Sequence, residues 1–157
     1  MFANAIKLFS INGFDIKIDP SWLVIATLVT WSLSQQYFPD VLPTLPQATY
    51  LIMAIAAMLC FFASLLLHEL AHSVVARRLG LPIKSITLFL FGGVAELEAE
   101  PKSAQVEFWV ALAGPAMSLG LAFGFWVLEQ GVALVFDAAP LRVVLSYLAL
   151  INLVLAL

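Results

Sequence analysis

His68, Glu69 and His72 are the residues of this sequence whose types and spacing can do chemistry, and His68 and His72 are its only histidines. On an α-helix, residues four apart differ by about 40° around the axis and about 6 Å along it. Two imidazoles placed in this way can converge on one Zn²⁺, each at about 2.0–2.1 Å. Glu69 lies beside them, where a carboxylate can take a proton from water activated by the metal and pass it to a leaving amine. Together they form the H-E-x-x-H pattern, His68-Glu69-Leu70-Ala71-His72, whose chemistry is metal-assisted hydrolysis of a peptide bond. Three fixed residues out of five match by chance at roughly one position in 8,000, or in about 2% of chains this long.

The surroundings sharpen the pattern. Tyr50–Leu67, just before it, is 18 residues long and carries no charge, enough to cross most of a bilayer. An ionisable residue at membrane depth costs about 2.5–3.5 kcal/mol on insertion scales. The alternative explanation for three such groups is a polar seam binding one helix to another. The whole chain of 157 residues is 63% hydrophobic and 11% charged. Soluble domains are roughly 45–50% apolar and about 25% charged, so lipid must solvate much of this surface. A net charge of −3 with no basic cluster argues against a nucleic-acid partner. Cys60 is the single cysteine, which excludes an intrachain disulfide or a cysteine-based zinc site and leaves it as a small apolar filler. The first 20 residues include Asp15, Lys17, Asp19 and Pro20 and lack the apolar core of a cleavable signal peptide.

The elements that must position the motif follow from periodicity. Ile6–Ile11 and Phe14–Ile18 flank Asn12-Gly13, a hairpin turn signal, and the second segment alternates apolar and charged residues. Trp22 to about Tyr37 is predicted as the first apolar helix. Gln35–Gln47 holds Pro39, Pro43 and Pro46 and is expected to be largely loop. The second helix is expected from near Ala48 to Arg77-Arg78-Leu79-Gly80, carrying the motif. Ile83–Phe91, a Gly92-Gly93 turn and Val94–Glu100 suggest a second hairpin, with Glu96, Glu98 and Glu100 on one face. Lys102–Leu128 is expected as a third helix and Leu141–Leu157 as a fourth. The predicted fold is therefore a mainly α membrane protein, one domain over residues 1–157, with about four transmembrane helices and two short β-hairpins at or in the cytoplasmic membrane face. Lys7, Lys17, Arg77, Arg78, Lys84 and Lys102 fall on one side of this arrangement and only Arg142 on the other, which assigns the first side to the cytoplasm. By helix rise, the metal would lie roughly 8–14 Å below the cytoplasmic arginines.

The sequence His68-Glu69-Leu70-Ala71-His72, then Ala76-Arg77-Arg78-Leu79-Gly80, Phe91-Gly92-Gly93-Val94-Ala95 and Ala113-Gly114-Pro115, resembles the site-2 protease family of intramembrane zinc metalloproteases. The N-terminal hairpin resembles the branch that often carries C-terminal CBS domains. The resemblance implies His68 and His72 as metal ligands, Glu69 as the catalytic carboxylate and one Zn²⁺ per chain. It also implies regulated cleavage of a membrane-spanning protein substrate, such as an anti-sigma factor or another membrane-tethered regulator. The third ligand of the family is an aspartate in an Asn…Pro…Asp-Gly motif on a later helix. Asp137 is the last aspartate here, on the far side of the membrane from the histidines, and Ile151-Asn152-Leu153 resembles the approach to that motif. The core is therefore expected to be incomplete at its C-terminus, with its third ligand beyond Leu157 and the fragment alone inactive.

Other assignments compete. Glu96, Glu98 or Glu100 could complete a zinc site, although the solvated face of a hairpin explains them better. Gly114-Pro115 either shapes the active site or marks a kink. Gly114/Ser118 and Gly120/Gly124 have the small-xxx-small spacing of close helix packing. Trp22, Trp31, Trp109 and Trp126 lie near span ends and suit interfacial anchoring. A non-catalytic pseudoprotease or transporter would need the histidines but not Glu69, so Glu69 favours the enzyme.

Overall fold

Short alternating segments become strands, and long unbroken apolar ones become helices. The computed structural model describes residues 5–11, 13–89, 92–97, 103–135 and 138–157, with side chains at all of these except 84 and 95–97. Strands β1 (Ile6–Ile11) and β2 (Phe14–Ile18) pair antiparallel, with Gly13 supplying the positive φ of 81° at their turn. Asn12 lies outside the described residues. Strands β3 (Ile83–Phe89) and β4 (Gly92–Leu97) form a second antiparallel pair.

The expected pair of separate hairpins is in fact one sheet. β2 and β3 pair in parallel, Ile16 opposite Ile86, giving the order β1-β2-β3-β4. A parallel pair needs a long crossover, and here it spans every residue from 19 to 82, so no local signal announces it. Gly92-Gly93 is likewise not the turn. Both residues belong to β4, opposite Phe89 and Leu88. Glu98 and Glu100 lie outside the described residues, and nothing is described of the Glu96 side chain.

The helices are α1 (Trp22–Ser32), α2 (Phe38–Val41), α3 (Gln47–Arg78), α4 (Ala104–Val135) and α5 (Ala139–Leu155). The Asp19 carboxylate accepts the Ser21 backbone N–H at 2.9 Å just before α1. The Ser21 hydroxyl, then that N–H, hold the Asp19 carboxyl below its usual range. A π-helical segment, Leu33–Tyr37, joins α1 to α2. The expected loop is therefore helical as far as Val41. Pro39 falls in the first turn of α2, where its missing N–H would have had no helical partner anyway.

α3 and α4 each have 32 residues, about 48 Å at the helical rise, and are long and apolar enough to cross a membrane. α4 runs seven residues past its expected end at Leu128. Glu129-Gln130-Gly131 does not stop it, because a helical glycine costs only about 1 kcal/mol, whereas backbone groups left unpaired in lipid cost several.

Contacts divide the chain into two compact units, Met1–Ile25 with Leu65–Met117, and Ala26–Ser64 with Ser118–Leu157. The first is built on Phe14, Ile16, Ala76, Leu81, Ile83 and Ile86, with Leu70 and Val110 packed against them. The Arg77 guanidinium lies 3.9 Å from the centre of the Phe14 ring. The second is built on Phe38, Tyr50, Ala54, Ala57, Val144 and Leu148. In it, the buried Asn152 amide donates to Ser64 Oγ at 3.1 Å and to the Leu148 carbonyl at 2.8 Å.

Two smaller expectations are corrected. Cys60 is exposed on α3 rather than filling a core. A Cβ at Gly120 or Gly124 would meet open space, so among the described residues this pair is not a close-packing seam. Trp31, Trp109 and Trp126 are exposed, as anchoring residues would be.

Candidate metal centre

The C-terminal half of α3 carries His68, Glu69 and His72 in the first unit. Helical spacing stacks the two histidines one turn apart, and their Nε2 atoms lie 3.0 Å from one another. The rings are inclined at 74° with centroids 4.7 Å apart, so both nitrogens turn toward the same point. His72 is fixed from behind by the Val110 carbonyl on α4, 2.6 Å from its Nδ1. A carbonyl can only accept, so Nδ1 carries the proton and Nε2 presents its lone pair. This is the arrangement by which a second hydrogen bond orients a metal-ligating histidine.

Gly114 lies in front of the two Nε2 atoms. A Cβ there would overlap the His72 and His68 Nε2 atoms together. The Gly114 backbone thus packs against both imidazoles, an approach that only a residue without a side chain allows. Two bonds of about 2.0–2.1 Å at a tetrahedral angle put donor nitrogens roughly 3.3 Å apart, close to the observed 3.0 Å. The spacing of the two donors therefore fits a zinc ion. Among the described residues no third histidine, cysteine, aspartate or glutamate joins them.

Glu69 is half-buried under the sheet. A Cβ at Gly93 would overlap its Cγ and lie 3.3 Å from Oε1, so the β4 backbone passes directly over this carboxylate. Val110 and Gly93 escaped sequence reasoning as parts of one site, whereas for Gly114-Pro115 site shaping was one of two readings. Val110 contributes only a carbonyl, and the two glycines contribute only the lack of a Cβ. The Ala-Gly-Pro and Gly-Gly motifs were the signals available.

With the geometry in place, kinship can be considered. A family model described as Peptidase family M50 matches residues 56–157. The chain belongs to peptidase family M50. It is 42% identical over 154 residues to a Mycobacterium tuberculosis protein described as the zinc metalloprotease Rip3, covering 98% of this chain and 39% of that protein. A Synechocystis protein, sll0528, also described as a zinc metalloprotease, is 41% identical with the same coverage. The solved structure of the site-2 protease from Methanocaldococcus jannaschii superposes with a TM-score of 0.63 at 28% identity, covering 97% of this chain and 62% of that one. The chain thus spans about two-fifths of the length of these curated relatives. Site-2 proteases of this family are integral membrane proteins, and α3 and α4 have the length and apolar character that requires.

Proposed function

We propose that this M50 chain is the core of an intramembrane endopeptidase that hydrolyses peptide bonds of membrane-spanning proteins. The observation that carries the reading is the approach of the His68 and His72 Nε2 atoms to 3.0 Å, with the Gly114 backbone packed against both. His68 and His72 are the metal ligands, each through Nε2. A catalytic zinc normally has three protein ligands and an open position, and the third is assigned to an aspartate outside residues 1–157. A bound zinc ion supplies Lewis acidity toward water and toward the carbonyl of the scissile bond.

Each residue of the chain then has a task. His72 is held in its Nδ1-protonated form by Val110, which keeps Nε2 available at every turnover. Glu69 takes the proton from the attacking water and returns it to the amine nitrogen as the peptide bond breaks. The β4 backbone over Glu69 limits how far that carboxylate can swing. A membrane-spanning helix must open before its backbone can be attacked. The edge of β4 that faces away from β3 can hold the opened segment as an added strand. In this reading, α1–α2, α3, α4 and α5 are four spans, with the α3 C-terminus and the sheet toward the cytoplasm of a cell membrane.

The test is Glu69→Gln in the full-length protein. The amide keeps the shape but cannot take a proton. Zinc content should stay at the parent level, while cleavage of a membrane-spanning substrate falls roughly 10²–10⁴-fold, the range for loss of a general base. Parent-level turnover by this variant would sink the mechanism.

A further inference from the structure

The unit that holds the histidines also has a cleft of about 420 Å³ between α3 and α4. Val75 on α3 and Leu79 just past its end line one side, and Trp109, Leu112, Ala113 and Ala116 line the other from α4. The spacings are helical, so each set forms one stripe, and the two alanines open the space between the stripes. The volume lies within the usual range for a small-molecule site, about 300–1,000 Å³. The one charged residue in the lining is Arg78, at the last position of α3.

The two neighbouring arginines differ. Arg77 turns its guanidinium onto the Phe14 ring. Arg78 is exposed and makes no ion pair among the described residues. α3 is about 48 Å long against a hydrocarbon core of about 30 Å, so its final turn reaches headgroup level when the helix spans. Trp109, half exposed on the cleft wall, is of the type that gathers at that level. An apolar slot with one guanidinium at its mouth matches the division of a phospholipid into acyl chain and phosphate. A guanidinium is the side chain best shaped to hold a phosphate through two parallel hydrogen bonds.

We propose that this cleft binds one anionic phospholipid, with an acyl chain between α3 and α4 and the headgroup phosphate on Arg78. The proposal rests on the membrane-spanning reading of α3 and α4 and is independent of the proposed proteolysis, so its test requires no cleavage. One basic side chain at a membrane surface favours an anionic lipid by about fivefold.

The experiment uses full-length protein with Trp109 as the only tryptophan of this region, carrying Trp22→Phe, Trp31→Phe and Trp126→Phe, in phosphatidylcholine vesicles. Brominated phosphatidylglycerol or brominated phosphatidylcholine is titrated in, and quenching of Trp109 is followed. Half-maximal quenching should come at about fivefold lower mole fraction for the anionic lipid. Arg78→Gln should merge the two curves, Arg78→Lys should keep part of the difference, and Arg142→Gln should keep all of it. Ala116→Phe, which fills the slot, should weaken quenching by both lipids. Coincident curves in the parent, or an undiminished preference in Arg78→Gln, would overturn the proposal. So would displacement of the brominated anionic lipid by an uncharged transmembrane peptide, which would give the cleft to a protein segment.

Discussion

At the scale of single residues, the site depends on what is missing as much as on what is present. His68 and His72 were legible because four residues is one helical turn, and the structure brings their Nε2 atoms to 3.0 Å. The Val110 carbonyl was not legible, since every residue has one and only the packing of α4 on α3 selects it. Gly114 was legible as a motif but not as a close approach to both imidazoles. Two effects of opposite sign meet in Gly114→Ala. Alanine favours a helix interior over glycine by about 1 kcal/mol, which offsets part of the roughly 1–3 kcal/mol of overpacking against the imidazoles, so the metal-free protein should still fold. The new Cβ, however, would overlap both Nε2 atoms and force the two imidazoles aside. Zinc content, measured by metal analysis of the purified protein, should fall at least roughly tenfold, since a misplaced ligand shell costs about 10–100-fold in affinity. Gly120→Ala, whose Cβ meets open space, is the control and should keep its zinc. Normal zinc content in Gly114→Ala would remove the argument that the missing side chain at 114 lets the two imidazoles take their places.

At the scale of elements, local signals worked where local forces decide. The Asn-Gly turn, the uncharged run ahead of His68 and the paired arginines at Arg77-Arg78 place β1, β2 and α3 to within a residue or two. The parallel pairing of β2 with β3 was invisible because it joins segments more than 60 residues apart in the chain, across α1, α2 and α3. The role of Gly93 was hidden for the same reason. A strand interior disfavours glycine, yet β4 needs one at 93 because any larger residue would strike Glu69. Gly93→Val should therefore raise strand propensity while forcing Glu69 or β4 aside. Cleavage is expected to fall at least roughly tenfold, a part of the 10²–10⁴-fold that the base provides, with zinc content unchanged. Gly92→Ala, at φ +130° but with no atom within reach of its Cβ, should strain the first residue of β4 without displacing Glu69. Equal cleavage by Gly93→Val and the parent would show that the strand does not confine the carboxylate.

At the scale of the whole molecule, function requires the metal to lie where water can reach it from one side of the membrane. That side follows from charge. Of seven basic residues, Arg142 alone falls on the side opposite the other six when α1–α2, α3, α4 and α5 are taken as four spans. Such a bias normally marks the cytoplasmic face, because basic loops resist translocation. Arg142 pairs with Glu129 on α4 at 3.5 Å, and one basic residue against six leaves the bias clear. Thr44, exposed between α2 and α3, then lies outside the cell, and Ser103, exposed ahead of α4, lies inside. The test places single cysteines at these positions in a Cys60→Ala background, which is needed because Cys60 is itself exposed. A membrane-impermeant maleimide applied to intact cells should label Thr44→Cys at once and Ser103→Cys only after permeabilisation. Thr44 already holds a positive φ of 89°, unfavourable for any side chain, so replacing it with cysteine adds no new backbone strain. The reverse labelling pattern would place the α3 C-terminus and its histidines toward the exterior. The water path to Glu69 would then have to open from that side, and the charge argument would fail for this protein.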